Sequence, residues 1–389
     1  MKRRDGEGID IGVYGGRAIP STYSGYETFL TAVLPRFVDR GHRVTMYCRK
    51  GEADDGWEGA DDFQGVALRW LPAVKGKQFS TLSHGAIAAL RARVSRHDVV
   101  LVVNVANALY CAAGRYTGQP VVLNTDGQEW LRGKWGRAAR TWFKTSARIS
   151  RFTANALVSD CAAIAAVYRD EFGARSTVIP YCVPPVAAAP ALDPGFGVQT
   201  GAYCVIAGRL NPENNIDRVA REYAESDLPY PLLVLGVANY DSPVARELAR
   251  LAEADPRIRP IGHVGSRPQF FRLLADAAAY IHAHSVGGMN PSLVEAMGSG
   301  AAVVAFDTPF NRETLAGAGT LFEFGALGAA LHAAIDRPAD VRAAASNEAR
   351  AIAHERYSVD AVADGYESLL RASAARRWSS TQITTRWTA

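Results

Sequence analysis

Short, almost wholly apolar runs recur along this chain, separated by stretches with helical spacing. That alternation limits the folds open to it. In the first half the runs cover residues 9–14, 43–48, 66–71, 99–103, 121–123, 156–158 and 177–179. A strand with one wet face alternates apolar and polar residues, whereas a continuous apolar run suits a strand buried on both faces, in a parallel sheet covered by helices. Between the first two runs, Phe29, Val33 and Phe37 recur at four-residue spacing and predict a helix over 26–40. Pro35 is expected to interrupt it with a local kink and Gly41 to end it. Proline and small residues over 183–201 read as an interdomain linker. The alternation then restarts, with apolar runs at 203–207, 232–235, 258–261, 277–281 and 303–306, and helical pattern over 326–374. The expected class is α/β, with two doubly wound units in tandem, a cleft between them, and ligands at the carboxyl ends of the strands.

Composition narrows the function classes. The chain has 389 residues, 48% of them hydrophobic and 21% charged, which suits a soluble enzyme-like protein of two domains. A net charge of +4 is too small to argue for nucleic acid. Cys48, Cys111, Cys161, Cys182 and Cys204 are scattered without a CxxC or a Cys/His cluster, so buried free thiols are expected rather than disulfides or a metal site. No apolar segment follows Met1-Lys2-Arg3-Arg4, and no run reaches the ~20 residues of a membrane span. The expectation is a cytoplasmic protein, or one peripheral on the inner face of the membrane.

The stretch 285–312 carries the strongest chemical signal. Gly287 and Gly288 turn the backbone and leave amides uncovered; Asn290 suits an N-cap and Pro291 a first helical position; Gly298 and Gly300 stop the helix. Strand, glycine turn and capped helix make an anion site, with a diphosphate as the natural guest. Glu295 sits one turn inside, placed to accept bonds from sugar hydroxyls. On local pattern alone, a glycine-rich connection with a solvated glutamate fits equally well.

Other polar residues stand at strand ends. Asp126 follows the run 121–123 and precedes Gly127, at the mouth of the expected cleft, where it could orient or deprotonate a hydroxyl. An Asx-turn or N-cap carboxylate is the plainer reading. His282 and His284 share a strand face, facing the cleft or packed in the core, with no third metal ligand evident. Asp307, Asn311 and Glu313 follow the next strand, with Asn311 read as a helix cap or Glu313 as a sugar contact. From Trp130 to Arg151 cations recur with no acid, interleaved with Trp135, Trp142 and Phe143. This suits an anionic membrane surface, or a solvated face with its aromatics turned inward.

In order along the chain stand Gly15-Gly16-Arg17-Ala18-Ile19-Pro20 with Ser24-Gly25-Tyr26-Glu27, then Thr125-Asp126-Gly127-Gln128-Glu129-Trp130, then Gly208-Arg209-Leu210-Asn211-Pro212-Glu213-Asn214-Asn215, then Val286-Gly287-Gly288-Met289-Asn290-Pro291-Ser292-Leu293-Val294-Glu295. With these, the chain resembles the GT-B glycosyltransferases of retaining family four, and within them the bacterial rhamnosyltransferase-like group, from Ile11 to about Leu370. The resemblance implies two Rossmann-like domains facing a central cleft. Residues 1–185 would form the acceptor domain and 186–355 the nucleotide-sugar domain. A helix over 356–375 would cross back to the first domain, before a tail at 376–389. It places Gly15, Gly16 and Gly25 over the donor diphosphate, with Arg209, Asn214, His284, Gly287, Gly288, Met289, Asn290 and Glu295 also on the donor side. Arg209 pairs with the diphosphate and Glu295 takes the ribose hydroxyls; a surface salt bridge is the alternative for Arg209. Tyr23, Glu27, Asp126 and Glu129 lie on the acceptor side, and Asp126, Arg209 and Glu295 carry the chemistry.

Three positions depart from the broad family. The first of two glutamates spaced eight apart is Gly287, a lysine position holds Asn214, and a histidine position holds Asp126. The rhamnosyltransferase-like group shares these features. The expected activity is transfer of a sugar, foremost rhamnose from dTDP-rhamnose, with retention and without a metal or other cofactor. The acceptor would be a lipid-linked or polysaccharide glycan in cell-wall or surface polysaccharide assembly. Rival readings are the same fold with a UDP- or GDP-sugar, a non-catalytic nucleotide- or glycan-binding module, and a dinucleotide oxidoreductase. The last lacks G-x-G-x-x-G opening a helix in either half.

Overall fold

The computed structural model describes residues 8–21, 25–54, 56–74, 76, 79–133, 135–183, 190–238 and 242–375. The expected domain boundary at 185/186, the tail at 376–389, and Tyr23 and Ser24 lie outside these. The chain divides into two units: Met1–Leu131, Trp135–Cys182 and Val359–Ala389 form the first, Arg132–Lys134 and Val183–Ser358 the second.

The first unit runs β1 (Asp10–Tyr14), α1 (Gly25–Asp39), β2 (Arg43–Arg49), β3 (Asp62–Phe63), β4 (Val66–Leu71), α2 (Phe79–Ser95), β5 (Val99–Val103), α3 (Ala108–Arg115), β6 (Val121–Asn124), α4 (Arg137–Thr153), β7 (Ala156–Ser159), α5 (Ala162–Phe172) and β8 (Thr177–Val178). Its sheet has the order β3-β4-β2-β1-β5-β6-β7-β8, and within it β3 alone is antiparallel, to β4. β5 is buried at all five positions, so its Val-Val-Leu-Val-Val needs no polar face. The connection through α1 moves one way across the sheet, and those through α2, α3 and α4 move the other. Right-handed crossovers therefore put α2, α3 and α4 together on the face opposite α1. α1 continues through Pro35 to Asp39 as one helix, where an interruption was expected. A final helix of the chain, Val359–Ala375, belongs to this unit: Phe29 of α1 meets its Tyr366 with ring centroids 5.1 Å apart, and Glu367 bonds Arg40 and His42.

The second unit runs β9 (Cys204–Ala207), α6 (Ile216–Ala224), β10 (Leu232–Leu235), α7 (Pro243–Ala254), β11 (Ile258–Gly262), α8 (Arg267–Ala275), β12 (Ala279–His282), α9 (Pro291–Ser299), β13 (Val303–Phe306), α10 (Pro309–Leu315), β14 (Thr320–Phe322), α11 (Leu327–Ile335) and α12 (Ala339–Tyr357); the closing helix 359–375 is α13. Its sheet, β11-β10-β9-β12-β13-β14, is parallel throughout. The helical pattern over 326–374 is thus three helices, broken around Pro338 and at Ser358. The core of this unit packs Ile206, Val234, Ile281 and Val304 of the sheet against Val219, Leu248 and Leu331 of its helices. Among the described residues no helix is long and apolar enough to cross a membrane. All five cysteines are free and buried.

Each doubly wound sheet has one place where the strand order reverses. In the first unit it lies between β1 and β5, in the second between β9 and β12. Connections leave in opposite directions there and open a crevice at the carboxyl ends of the strands.

Candidate functional site

The glycine-rich turns of the sequence fall at these two crevices. In the first unit β1 ends in Tyr14 and gives way to Gly15, with φ of +108°. A Cβ on Gly15 would stand 2.0 Å from the Val103 carbonyl oxygen, so the turn demands glycine on both conformational and steric grounds. Gly16 and Arg17 follow, and the Arg17 amide donates to Glu27 Oε1 at 2.9 Å. Glu27 is buried in the first turn of α1, which Gly25 opens. Its carboxylate thereby ties the glycine turn to the start of α1, a structural tie beside the acceptor role expected of it.

Two strands over from β1, Asp126 leaves β6 with φ of +60°, a left-handed conformation uncommon for a residue with a side chain. Its amide donates to Asn124 Oδ1 at 2.9 Å, so the Asx turn expected of Asp126 is made by Asn124. The Asp126 carboxylate is partly exposed and accepts from the Tyr181 hydroxyl at 3.4 Å. Tyr26 meets Tyr181 edge to face, and its phenol is pushed well above its ordinary value, by burial first and then by the negative charge of Asp126. Glu129, buried, takes the Trp135 indole N–H at 2.8 Å. Gly15, Gly16, Gly25, Glu27, Asp126 and Glu129 thus sit at or just beyond the carboxyl ends of β1 and β6.

In the second unit β9 ends at Gly208 and Arg209. A Cβ on Gly208 would meet His284 Cε1 at 3.3 Å and Asn214 Nδ2 at 3.4 Å. Asn214, buried, donates to the Arg209 carbonyl at 2.8 Å. Asn215 donates to the Ala283 carbonyl at 2.8 Å and to Ser285 Oγ at 3.0 Å, and the Ser285 amide donates to the Glu213 carbonyl at 2.9 Å. Asn311 spans the next pair of strands, donating to the His284 carbonyl at 3.1 Å and the Phe306 carbonyl at 2.9 Å. Asn215 and Asn311 therefore lock the segments after β9, β12 and β13 to one another, while Asn214 braces the segment after β9 from within. Asn311 lies inside α10 and does not cap it; Thr308 does, accepting the Asn311 amide. Asp307 pairs instead with Arg312.

Held in this frame, Gly287 turns at φ of +133° and Asn290 opens α9, with Pro291 at its first position. The Asn290 side chain makes no capping bond to α9; its Oδ1 accepts from Ser292. Pro291 has no N–H and the Leu293 amide donates to the Asn290 carbonyl at 3.0 Å, which leaves the Ser292 amide at the helix start without a side-chain cap, the kind of group an anion uses. Gly288 and Met289 complete the turn, with Met289 buried. Gly298 stays within α9, which ends at Ser299 with Gly300 left-handed. Arg209 is exposed, and its guanidinium forms no ion pair with a described residue. Residues 132–134 group with this unit, and Arg132 Nη2 lies 3.6 Å from where a Gly287 Cβ would be. Sequence reasoning had placed Arg132 only in a basic stretch.

His282 and His284 are buried with rings stacked at 4.4 Å. Burial pulls His282 down to about 3; burial, then His282, Arg132 and Arg209, hold His284 well below its ordinary value. Both are neutral imidazoles at physiological pH. Among the described residues no group of His, Cys, Asp and Glu gathers as a metal site. Glu295 is nine-tenths buried, and Arg267 at the start of α8 reaches its Oε1 at 2.6 Å. Burial raises this carboxyl above its ordinary range against the opposing pull of Arg267. Arg267 went unnoticed in the sequence because nothing in a separation of 28 residues marks the pair.

Residues 201–339 match the family model of the glycosyl transferases group 1, and residues 9–183 match a domain family of unknown function, DUF1972. The sequence matches no curated protein. Solved structures similar to the chain include HepE of Anabaena in complex with UDP-glucose, with 16% identity and a TM-score of 0.73 over 94% of this chain and 100% of that one. Sucrose-phosphate synthase from Thermosynechococcus elongatus has 15% identity and a TM-score of 0.78 over 94% and 98%. An alpha,alpha-trehalose-phosphate synthase (UDP-forming) from Burkholderia vietnamiensis has 12% identity and a TM-score of 0.72 over 94% and 100%. At such identities the likeness is one of fold. The chain has the GT-B architecture of two parallel-sheet units, and the match to the glycosyl transferases group 1 model falls within the second.

Proposed function

We propose that this chain is a retaining glycosyltransferase that takes a sugar from a nucleoside diphosphate donor. The observation that carries the reading is the switch point of the second sheet. There the Gly287 turn and the start of α9 follow β12, and Arg209, which forms no ion pair with a described residue, follows the neighbouring β9. A departing diphosphate gains negative charge as its bond to the sugar lengthens. Fixed amides and guanidinium groups stabilise that charge without reorganising, and no metal is needed for it. Arg132 adds a second cation where Asn214 stands in place of a lysine. Glu295, aimed by Arg267, accepts from the ribose hydroxyls through the oxygen that Arg267 leaves open. The neutral His284 imidazole sits beside Gly208 and presents a donor or acceptor to sugar or phosphate without adding charge. In the first unit Gly15 and Gly16 turn the chain at the carboxyl end of β1. Asp126 orients the acceptor hydroxyl, and the leaving phosphate takes the acceptor's proton on the face where the new bond forms.

The donor proposed first is dTDP-rhamnose, with a lipid-linked or polysaccharide acceptor in surface-glycan assembly. A UDP-sugar donor is the second reading, favoured by the UDP and UDP-glucose complexes of HepE. Donor hydrolysis followed across dTDP-, UDP- and GDP-sugars, with the anomer of the transferred sugar read by NMR, tests the proposal. Turnover of one donor with retained configuration supports it. Tight nucleotide binding without turnover of any donor would leave a binding module, and inverted configuration would remove the front-face mechanism.

A further inference from the structure

The acid-free stretch around α4 resolves into a surface that the glycosyl-transfer reading does not use. The aromatics interleaved with its cations turn inward: Trp130 packs on Tyr168 and Phe172, Trp135 on Phe143, and the Trp142 indole donates to the Ala106 carbonyl. The cations remain outside. Arg137, Arg140, Lys144, Arg148 and Arg151 recur at spacings of three and four, so they form one stripe, and all are exposed. Lys144 approaches Glu171 of α5 at 3.8 Å, whereas Arg137, Arg140 and Arg148 form no ion pair with a described residue.

The stripe has company. α2, α3 and α4 share one face of the first sheet and contain no Asp or Glu. The same layer exposes large apolar side chains: Phe79 at 66%, Leu90 at 59% and Val94 at 77% on α2, Leu109 at 46% on α3, and Phe152 at 52% on α4. Phe79, Leu90 and Val94 recur on one side of α2. Single exposed apolar residues are ordinary, but five in one helical layer, beside three cations that form no ion pair with a described residue, are not.

We propose that the outer face of α2, α3 and α4 docks on an anionic lipid bilayer. The cations would hold the headgroups, and the aliphatic and phenyl side chains would enter the headgroup–acyl boundary. Charge complementarity selects an acidic partner. The exposed Leu, Val and Phe select lipid over a soluble polyanion, which offers aliphatic groups nothing to enter. This surface stands whether or not the chain transfers a sugar.

Co-sedimentation of the full chain with phosphatidylcholine vesicles, with and without phosphatidylglycerol, tests it. Two exposed-residue variants are compared with wild type: Arg137→Gln/Arg140→Gln/Arg148→Gln and Leu90→Ser/Val94→Ser/Phe152→Ser. Wild type should partition onto the phosphatidylglycerol vesicles alone. The glutamine variant should lose roughly fivefold per cation, about a hundredfold in all. The serine variant should also bind more weakly, and high salt should release wild type without any substitution. Binding that is absent at low salt, insensitive to salt, or unchanged in the glutamine variant would overturn the proposal. So would wild-type binding by the serine variant, which would mark a polyanion site that heparin saturates.

Discussion

Replacing Arg267 by methionine isolates the electrostatic support of Glu295. Methionine keeps most of the apolar stem that packs near Phe270 and Phe271 but removes the guanidinium 2.6 Å from Glu295 Oε1. Breaking a fully buried ion pair costs about 3–5 kcal/mol, because the surviving charge is left without a partner. Here the Glu295 side chain is 9% exposed but Arg267 is 41% exposed, so water already screens part of the interaction, and the expected loss at neutral pH is about 1–3 kcal/mol. The pH dependence carries the sharper test. Burial already raises the folded-state pKa of Glu295 above its ordinary 4.5. A raised carboxyl pKa contributes stability that is fully present below the unfolded value and lost as pH rises through the folded one. Losing Arg267 raises the folded value further. The two proteins should therefore be close in stability near pH 4 and diverge as the pH rises to 7, each kcal/mol moving the midpoint of a domain this size by roughly 2–4 °C. Thermal unfolding followed at both pH values reads this, and Arg267→Met/Glu295→Gln should recover most of the loss at neutral pH. An equal destabilisation at both pH values, or none at either, would refute the reasoning that Arg267 serves to hold a buried negative charge.

Other substitutions probe the rest of the frame. Asp126→Asn should lower turnover by roughly 10²–10⁴-fold, with nucleotide affinity and unfolding midpoint unchanged, since a partly exposed amide fits the same place; near wild-type turnover would take Asp126 out of the mechanism. Gly15→Ala puts a methyl 2.0 Å from the Val103 carbonyl at a left-handed φ, and should cost about 2–4 kcal/mol or prevent folding, read by urea unfolding. Asn215→Ala removes bonds to Ala283 and Ser285 and should cost about 1–3 kcal/mol, with weakened nucleotide binding as the segments after β9 and β12 come apart.

Much of this architecture was legible because the strands are buried on both faces. The runs at 99–103, 232–235 and 303–306 coincide with β5, β10 and β13, since no polar position interrupts them. β3 and β14, two and three residues long, were not read from the sequence, whereas the equally short β8 was, from the run 177–179. Pro35 misled for a local reason: the sequence shows the missing N–H, while the packing of Val33, Leu34 and Phe37 that keeps α1 running past it is tertiary. At the candidate site the glycine turns were legible from composition, because few other residues fit such turns. The supporting bonds were not. Asn215, Asn311 and Arg267 act on groups 68, 27 and 28 residues away, and only the strand order brings such partners together. The stacking of His282 on His284 followed from their shared strand face, but their neutrality depends on burial that the spacing could not report.

Calorimetric titration of UDP and dTDP into wild type and Arg209→Ala tests the central claim most directly. A guanidinium bonded to a diphosphate is worth about 1.5–3 kcal/mol, so the account predicts saturable binding of at least one of the two to wild type and an affinity roughly 10–100-fold weaker in the variant. Wild type that binds neither nucleotide, or a variant that binds as tightly as wild type, would contradict it.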